Sequence, residues 1–179
     1  MDAHGGPRMS RGAAFVAALA LPLLAPVALA AEPPASIPTA PALTAIDPAT
    51  GDAVALDPSQ GPMHVAFIAT WCQPCLSQIP KLVDLEDRWK PDGYRLFLVA
   101  VATRQTPDRL RDLLAQGPLP GRLLFDANGA VASAFGAATI PTQALVDRSG
   151  RIIARSGVLD AAFTQAVERL VRQEGRAKP

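Results

Sequence analysis

Apolar residues occur along this chain either in continuous runs or at helical spacing, and these two patterns together predict much of its secondary structure. Residues 65–69 are continuously apolar, as in a short buried strand, and residues 94–101 are apolar on both faces, which is typical of a central parallel strand. Between them, apolar side chains recur at helical spacing: Leu76, Ile79, Leu82, Val83 and Trp89. This part of the chain therefore predicts a strand, a helix and a second strand.

The remaining elements are short and are separated by residues that favour turns. Residues 47–51 and 147–150 have turn composition and predict two hairpins. Thr106 and Pro107 are suited to the cap and first residue of a helix, and Gly117 to its end. A strand at 122–126, a brief helix through Val131 and Phe135, and a C-terminal amphipathic helix with Phe163, Val167, Leu170 and Val171 follow. This order of strands and helices predicts an α/β sandwich with parallel and antiparallel strands.

Residues 1–30 have the layout of a secretory signal. Arg8 and Arg11 precede an apolar run at 13–29, which leads to the small residue Ala30. Because this run is short and contains two prolines, it is marginal as a membrane helix. We expect cleavage after Ala30, with an uncleaved N-terminal membrane anchor as the alternative.

The rest of the chain is predicted to hold one domain. Residues 31–42 carry four prolines among small and polar residues and predict an extended linker, which leaves residues 43–175 as the domain. Without residues 1–30 the chain has 15 basic and 15 acidic residues, and no block of like charge suggests nucleic acid. With only two cysteines, the domain is not a disulfide-stapled scaffold.

Both cysteines lie in one motif, Trp71-Cys72-Gln73-Pro74-Cys75, between the predicted strand and the predicted helix. We expect Cys72 at the helix N-terminus, where free N–H groups stabilise a thiolate. A pKa lowered from about 8.5 to about 7 corresponds to roughly 2 kcal/mol. Pro74 suits the first helical turn, and Cys75 would be shielded and able to resolve a mixed disulfide. The motif predicts a reversible redox pair.

The cysteine motif is part of Ala69-Thr70-Trp71-Cys72-Gln73-Pro74-Cys75, which is followed by Pro80 and then by Thr139-Ile140-Pro141-Thr142 before a strand. These three motifs in this order resemble the TlpA/ResA family of exported thioredoxin-fold thiol:disulfide oxidoreductases. The resemblance implies a thioredoxin-like three-layer sandwich, in which a mixed central sheet is flanked by helices and extended by an N-terminal β-hairpin. It also implies that Pro141 is cis and faces the cysteine pair.

The same resemblance assigns roles to residues of the motifs. Cys72 and Cys75 would be the catalytic redox disulfide, and the residues expected to contact substrate are Trp71, Gln73, Pro74, Ile140 and Pro141. A cis bond at Pro141 would leave the backbone of Ile140 free to pair with an extended substrate segment. Pro80, inside the helical pattern, should kink the helix and separate the active-site turn from the rest.

Two features depart from the family pattern. Thioredoxins carry a buried Asp six residues before the first cysteine, and here that position is Ala66. Glu86, Asp84 and Asp126 are the candidates for another acid near Cys75, and the sequence does not choose among them. No His lies between the cysteines, which argues against a strongly oxidising disulfide.

The expected function is reduction of disulfides in periplasmic client proteins of the cytochrome c or copper-oxidase assembly type, without a cofactor. The family resemblance implies re-reduction by a membrane thiol reductant of the DsbD or CcdA kind. One alternative is a non-enzymatic copper or metal-binding assembly factor, although His64 is the only histidine after residue 30 and no metal ligand set is predicted. Another is a peroxiredoxin-like peroxidase, which would place Thr or Ser where Ala69 stands. The last alternative is a static structural disulfide.

Overall fold

The computed structural model describes residues 43–176 and Met1, and the statements below concern these residues. Apart from Met1, the predicted signal or anchor at residues 1–30 lies outside them, as does the predicted linker at 31–42. The strands are β1 (Leu43–Ile46), β2 (Ala53–Leu56), β3 (Met63–Ile68), β4 (Arg95–Val101), β5 (Arg122–Asp126), β6 (Thr142–Val146) and β7 (Ile152–Ser156). The helices are α1 (Gln73–Leu76), α2 (Ile79–Trp89), α3 (Pro107–Ala115), α4 (Ala130–Ala134) and α5 (Ala161–Arg176).

The seven strands form one mixed sheet in the order β2-β1-β5-β4-β3-β6-β7. Strand β4 pairs in parallel with both β3 and β5, and β6 pairs with β3 in the antiparallel sense. This confirms the predicted central, parallel position of β4, whose residues 96–100 are all buried. The β1-β2 hairpin extends the sheet beyond β5, as the fold prediction required.

Helices cover both faces of the sheet, so the predicted three-layer arrangement is confirmed. On β3, Ala66 and Ile68 face a core that includes Leu82 of α2 and Val167 of α5. The alternate residues of the same strand face a second core with α4, because successive strand side chains point to opposite faces. Met63, Val65 and Phe67 lie on that second face with Val131 and Phe135.

The predicted helix after Cys72 is in fact two helices. Helix α1 ends at Leu76, and α2 begins at Ile79 with Pro80 in its first turn. Pro80 therefore starts a helix and does not kink one, because its missing N–H costs nothing in a first turn. The separation from the active-site turn is as expected. Val83, which the periodicity grouped with the apolar face, is 37% exposed.

The caps and turns that flank these elements agree with the sequence pattern. Thr106 caps α3 by accepting a hydrogen bond from the N–H of Arg109 at 3.4 Å. Asp47 and Asp147 each accept hydrogen bonds from backbone N–H groups two residues on, in the two predicted hairpin turns. Among the described residues, no helix is long and apolar enough to cross a membrane.

Candidate active site

The two cysteines follow the buried strand β3 and form a disulfide at the start of α1. Cys72 is the N-cap residue, and the N–H of Cys75 donates to Cys72 Sγ at 3.3 Å and to the Cys72 carbonyl at 2.9 Å. The predicted position of Cys72 at a helix N-terminus is therefore correct. Cys75 is 1% exposed and Cys72 5%, so both residues are largely covered in this oxidised form.

The local sequence explains why α1 is a single turn. Pro74 fits its first turn, while the absent N–H of Pro80 removes the donor that a longer helix would offer to the Leu76 carbonyl. The last residues instead close with shorter bonds, including one from the N–H of Gln78 to the Cys75 carbonyl at 3.1 Å. The cysteine pair thus sits on a short segment whose end needs support from elsewhere.

Trp71 lies immediately before the pair and is held by the loop after β4. Its indole Nε1 donates to the carbonyl of Thr103 at 2.9 Å, and the guanidinium carbon of Arg104 lies 4.3 Å from the indole centroid. Arg104 has a φ of 52°, which is uncommon for a residue with a side chain. Trp71 remains 36% exposed. This loop therefore fixes the indole and leaves part of it open to solvent.

The Ile140–Pro141 peptide bond is cis, as the resemblance implies. Among residues 43–176, the backbone N–H and C=O groups of Ile140 form no hydrogen bond. Strand β6 begins at Thr142, so these groups lie just beyond the paired part of the sheet. They are free to pair with another extended segment.

Two grooves adjoin the cysteine motif and this proline. The first has a volume of about 470 Å³ and is lined by Trp71, Ile140 and mostly small residues, among them Ala102, Ala132 and Ala137. The second, of about 430 Å³, is lined by Pro74, Gln78, Pro141 and residues 157–159, where Val158 is 56% exposed. The structure thus brings Trp71 together with Ile140 in one groove and Pro74 together with Pro141 in the other. Gln73 is exposed and lines neither groove.

A chain of buried polar side chains, which the sequence analysis did not find, runs from the core to this site. Tyr94 Oη lies 2.5 Å from His64 Nδ1, and His64 Nε2 lies 2.8 Å from Gln143 Oε1. Gln143 Nε2 then donates to Gln78 Oε1 at 3.3 Å. Burial lowers the pKa of His64 to about 4, so the imidazole is neutral at pH 7, and burial followed by the charge of Glu86 raises the pKa of Tyr94. The signal in the sequence was the presence of His64 and Gln143 within otherwise largely apolar strands.

Two of the three candidate acids are engaged in other hydrogen bonds, and the third is exposed. Asp84 is exposed on α2, and Glu86 accepts a hydrogen bond from the N–H of Gly121 at 2.6 Å while pairing with Lys90. Asp126 is buried but accepts hydrogen bonds from the N–H groups of Val131 and Ala132 in the first turn of α4. Among the described residues no carboxylate is hydrogen-bonded to either cysteine.

Ala66 stands where thioredoxins carry a buried Asp, and the polar side chains beside it are uncharged. Ala66 pairs with Gln143 in the β3–β6 register, and cross-strand partners point to the same face of a sheet. His64 precedes Ala66 by two residues, so it lies on that face as well. A neutral polar pair therefore lies beside Ala66. Among the described residues, no cluster of three or more His, Cys, Asp or Glu is arranged to hold a metal.

The sheet order, the cysteine pair at a helix N-terminus and the cis-proline that shares a groove with Pro74 define a thioredoxin-fold protein. The AhpC/TSA family profile matches residues 38–155, and the chain belongs to this family. Its relatives include the thiol-disulfide oxidoreductase ResA of Bacillus thuringiensis subsp. konkukian, 26% identical over 87 residues, which are 49% of each chain. Another is the thiol:disulfide interchange protein HelX of Rhodobacter capsulatus, 35% identical over 92 residues, 51% of this chain and 49% of HelX. The chain thus spans about half the length of these relatives.

Solved structures agree on the fold. A thioredoxin-family thiol:disulfide interchange protein from Chlorobium tepidum TLS has a TM-score of 0.64 and 21% identity, covering 79% of this chain and 99% of its own. StoA from Bacillus subtilis has a TM-score of 0.59 and 22% identity, covering 73% of this chain and 98% of its own. At these identities the likeness establishes the thioredoxin-like architecture.

Proposed function

We propose that this protein is a thiol:disulfide oxidoreductase that acts through Cys72 and Cys75. The observation that carries the proposal is the cysteine disulfide at the start of α1, next to two grooves and a free Ile140 backbone. The ResA and HelX relatives, whose names describe thiol-disulfide exchange, support it.

The reduced protein reacts in two exchange steps. The Cys72 thiolate attacks one sulfur of a client disulfide, so a Cys72–client bond forms and the other client sulfur leaves as a thiolate that takes up a proton. Cys75 then loses its proton and attacks Cys72 Sγ, which releases the second client sulfur. Two electrons pass to the client, and the protein is left with the Cys72–Cys75 disulfide.

The grooves beside the pair are proposed to hold the client chain. An extended client segment would pair with the backbone of Ile140, while Trp71, Pro74 and Pro141 supply apolar contacts. Gln73, which is exposed between the two cysteines, would contact the client directly beside the disulfide. Because the small residues of the first groove leave room for a side chain, an apolar client residue fits there.

The proposed setting is the periplasm, with residues 1–30 acting as a signal or an uncleaved anchor. There the clients would be disulfide-bearing proteins of cytochrome c or copper-oxidase assembly. A membrane thiol reductant of the DsbD or CcdA type would return electrons to the pair. The secretory-signal pattern at residues 1–30 supports the periplasmic setting, and the names of the relatives support thiol exchange as the chemistry.

The test is insulin-disulfide reduction with Cys72→Ser and Cys75→Ser variants. Cys72→Ser should reduce insulin no faster than dithiothreitol alone, whereas Cys75→Ser should accumulate a mixed disulfide that it cannot resolve. A Gln165→Ala variant on the exposed face of α5 serves as the control and should keep the wild-type rate. Wild-type activity in Cys72→Ser would refute these roles, and consumption of peroxide by the wild type would favour the peroxidase alternative.

A further inference from the structure

One buried side chain, Gln78, joins the cysteine-bearing turn to the rest of the fold. Its Nε2 donates to the carbonyl of Pro74 in α1 and to the carbonyl of Gly157 after β7, both at 3.3 Å. Its Oε1 accepts from the N–H of Leu159 at 3.0 Å and from Gln143 Nε2 at 3.3 Å. Gln78 is only 9% exposed, so water does not readily replace these bonds.

These bonds hold a helix end that the backbone leaves incomplete. In a continuous α-helix the carbonyl of Pro74 would accept the N–H of Gln78, but that N–H bonds to the carbonyl of Cys75 instead. The Gln78 side chain returns to satisfy Pro74, helped by the hydroxyl of Ser77 at 3.0 Å. Gln78 therefore holds the α1 turn through both its main chain and its side chain.

The orientation of the Gln78 amide is set by the series of hydrogen-bonded side chains that leads to it from Tyr94 through His64 and Gln143. Gln143 Nε2 donates to Gln78, so Gln143 turns its Oε1 toward His64, and His64 Nε2 must donate to that oxygen. His64 Nδ1 then accepts from the hydroxyl of Tyr94. Each donor along the chain points toward α1, so every amide and the imidazole has one favoured orientation.

We propose that Gln78, Gln143 and His64 are positioning residues that set the reduction potential of the Cys72–Cys75 pair by holding the α1 turn. The proposal rests on the proposed function. The link is the N–H of Cys75, which reaches Cys72 Sγ only while the turn keeps its shape. On reduction, this N–H is a donor to the Cys72 thiolate. A looser turn weakens that bond, destabilises the reduced form and makes the disulfide harder to reduce.

The experiment measures the equilibrium of the disulfide with glutathione in the full chain. Gln78→Leu should raise the equilibrium constant for disulfide formation at least about tenfold, which corresponds to a potential about 30 mV lower. It should also raise the pKa of the Cys72 thiol, read from thiolate absorbance. Gln143→Leu should shift both in the same direction by less, because Gln78 keeps its bonds to Pro74, Gly157 and Leu159.

Leu110→Ala is the control, because Leu110 is the buried core residue of α3 and makes no hydrogen bond to Gln78, Gln143, His64 or Tyr94. It should lower thermal stability without moving the potential. The proposal is wrong if Gln78→Leu stays within about twofold of the wild type, or if Leu110→Ala shifts the equilibrium as much. Should Gln78→Leu fail to fold, Gln143→Leu decides alone. A wild-type disulfide that does not exchange with glutathione would instead overturn the proposed function, and this inference with it.

Discussion

His64 should make the stability of this protein fall as the pH drops from neutral to about 4. Its side chain is fully buried, with one ring nitrogen facing Tyr94 and the other Gln143, and the ring of Phe163 lies 5.1 Å away. Burial lowers the pKa of His64 from 6.5 to about 4. A protonated imidazole would also turn a second donor toward Tyr94 and disturb the directed chain of hydrogen bonds.

The direction and size of this change in stability with pH follow from the pKa values of His64 in the unfolded and folded protein. In the unfolded chain His64 binds a proton near pH 6.5, whereas in the folded protein it does so only near pH 4. Stability from this group is therefore full above pH 6.5 and declines as the pH falls between the two values. The separation corresponds to about 3 kcal/mol, a substantial part of the stability of a typical domain.

Urea unfolding of the oxidised wild type and of His64→Leu, followed from pH 7 to pH 4, measures this effect. The variant leaves the Tyr94 hydroxyl and Gln143 Oε1 without their hydrogen-bond partner, so at pH 7 it should be less stable by about 2 kcal/mol or more. As the pH falls, the wild type should lose about 3 kcal/mol more than the variant. The other titrating groups are common to both proteins and cancel in the difference. Parallel curves from pH 7 to pH 4 would refute the reasoning.

Two further predictions concern the stability of the fold. Gly121 has a φ of +66°, and a Cβ there would lie 2.3 Å from the carbonyl oxygen of Leu96, whereas Gly129 has a φ of +72° and open space around it. Gly121→Ala should therefore lower the free energy of unfolding by at least about 2 kcal/mol more than Gly129→Ala, and equal losses in urea unfolding would contradict the clash. Thr106→Ala removes the cap of α3 and should cost about 1 kcal/mol in the same measurement; an unchanged midpoint would show that the cap contributes nothing.

Short-range patterns in the sequence predicted most of the strands, helices and caps. A buried strand, an N-cap cysteine followed by Pro74, and a Thr106 cap each depend on a few consecutive residues, and the structure has all three. Pro141 was identified by resemblance to a family motif, and its cis bond agrees. Pro80 shows the limit, because the helical period continues in the sequence across residues 77–78, where α1 and α2 are separate in the structure. Val83 lies within α2 but off the face that buries Leu82, Leu85 and Trp89.

The sequence could establish which segments are strands and helices and where the two thiols lie, because periodicity and capping act between near neighbours. It could not reveal the chain from His64 through Gln143 to Gln78. His64 and Gln143 are 79 positions apart, and only the β3–β6 register brings them together. The grooves likewise combine residues from separate loops. Tertiary packing decided these contacts, since a buried polar group must take whichever partner the assembled sheet places within reach.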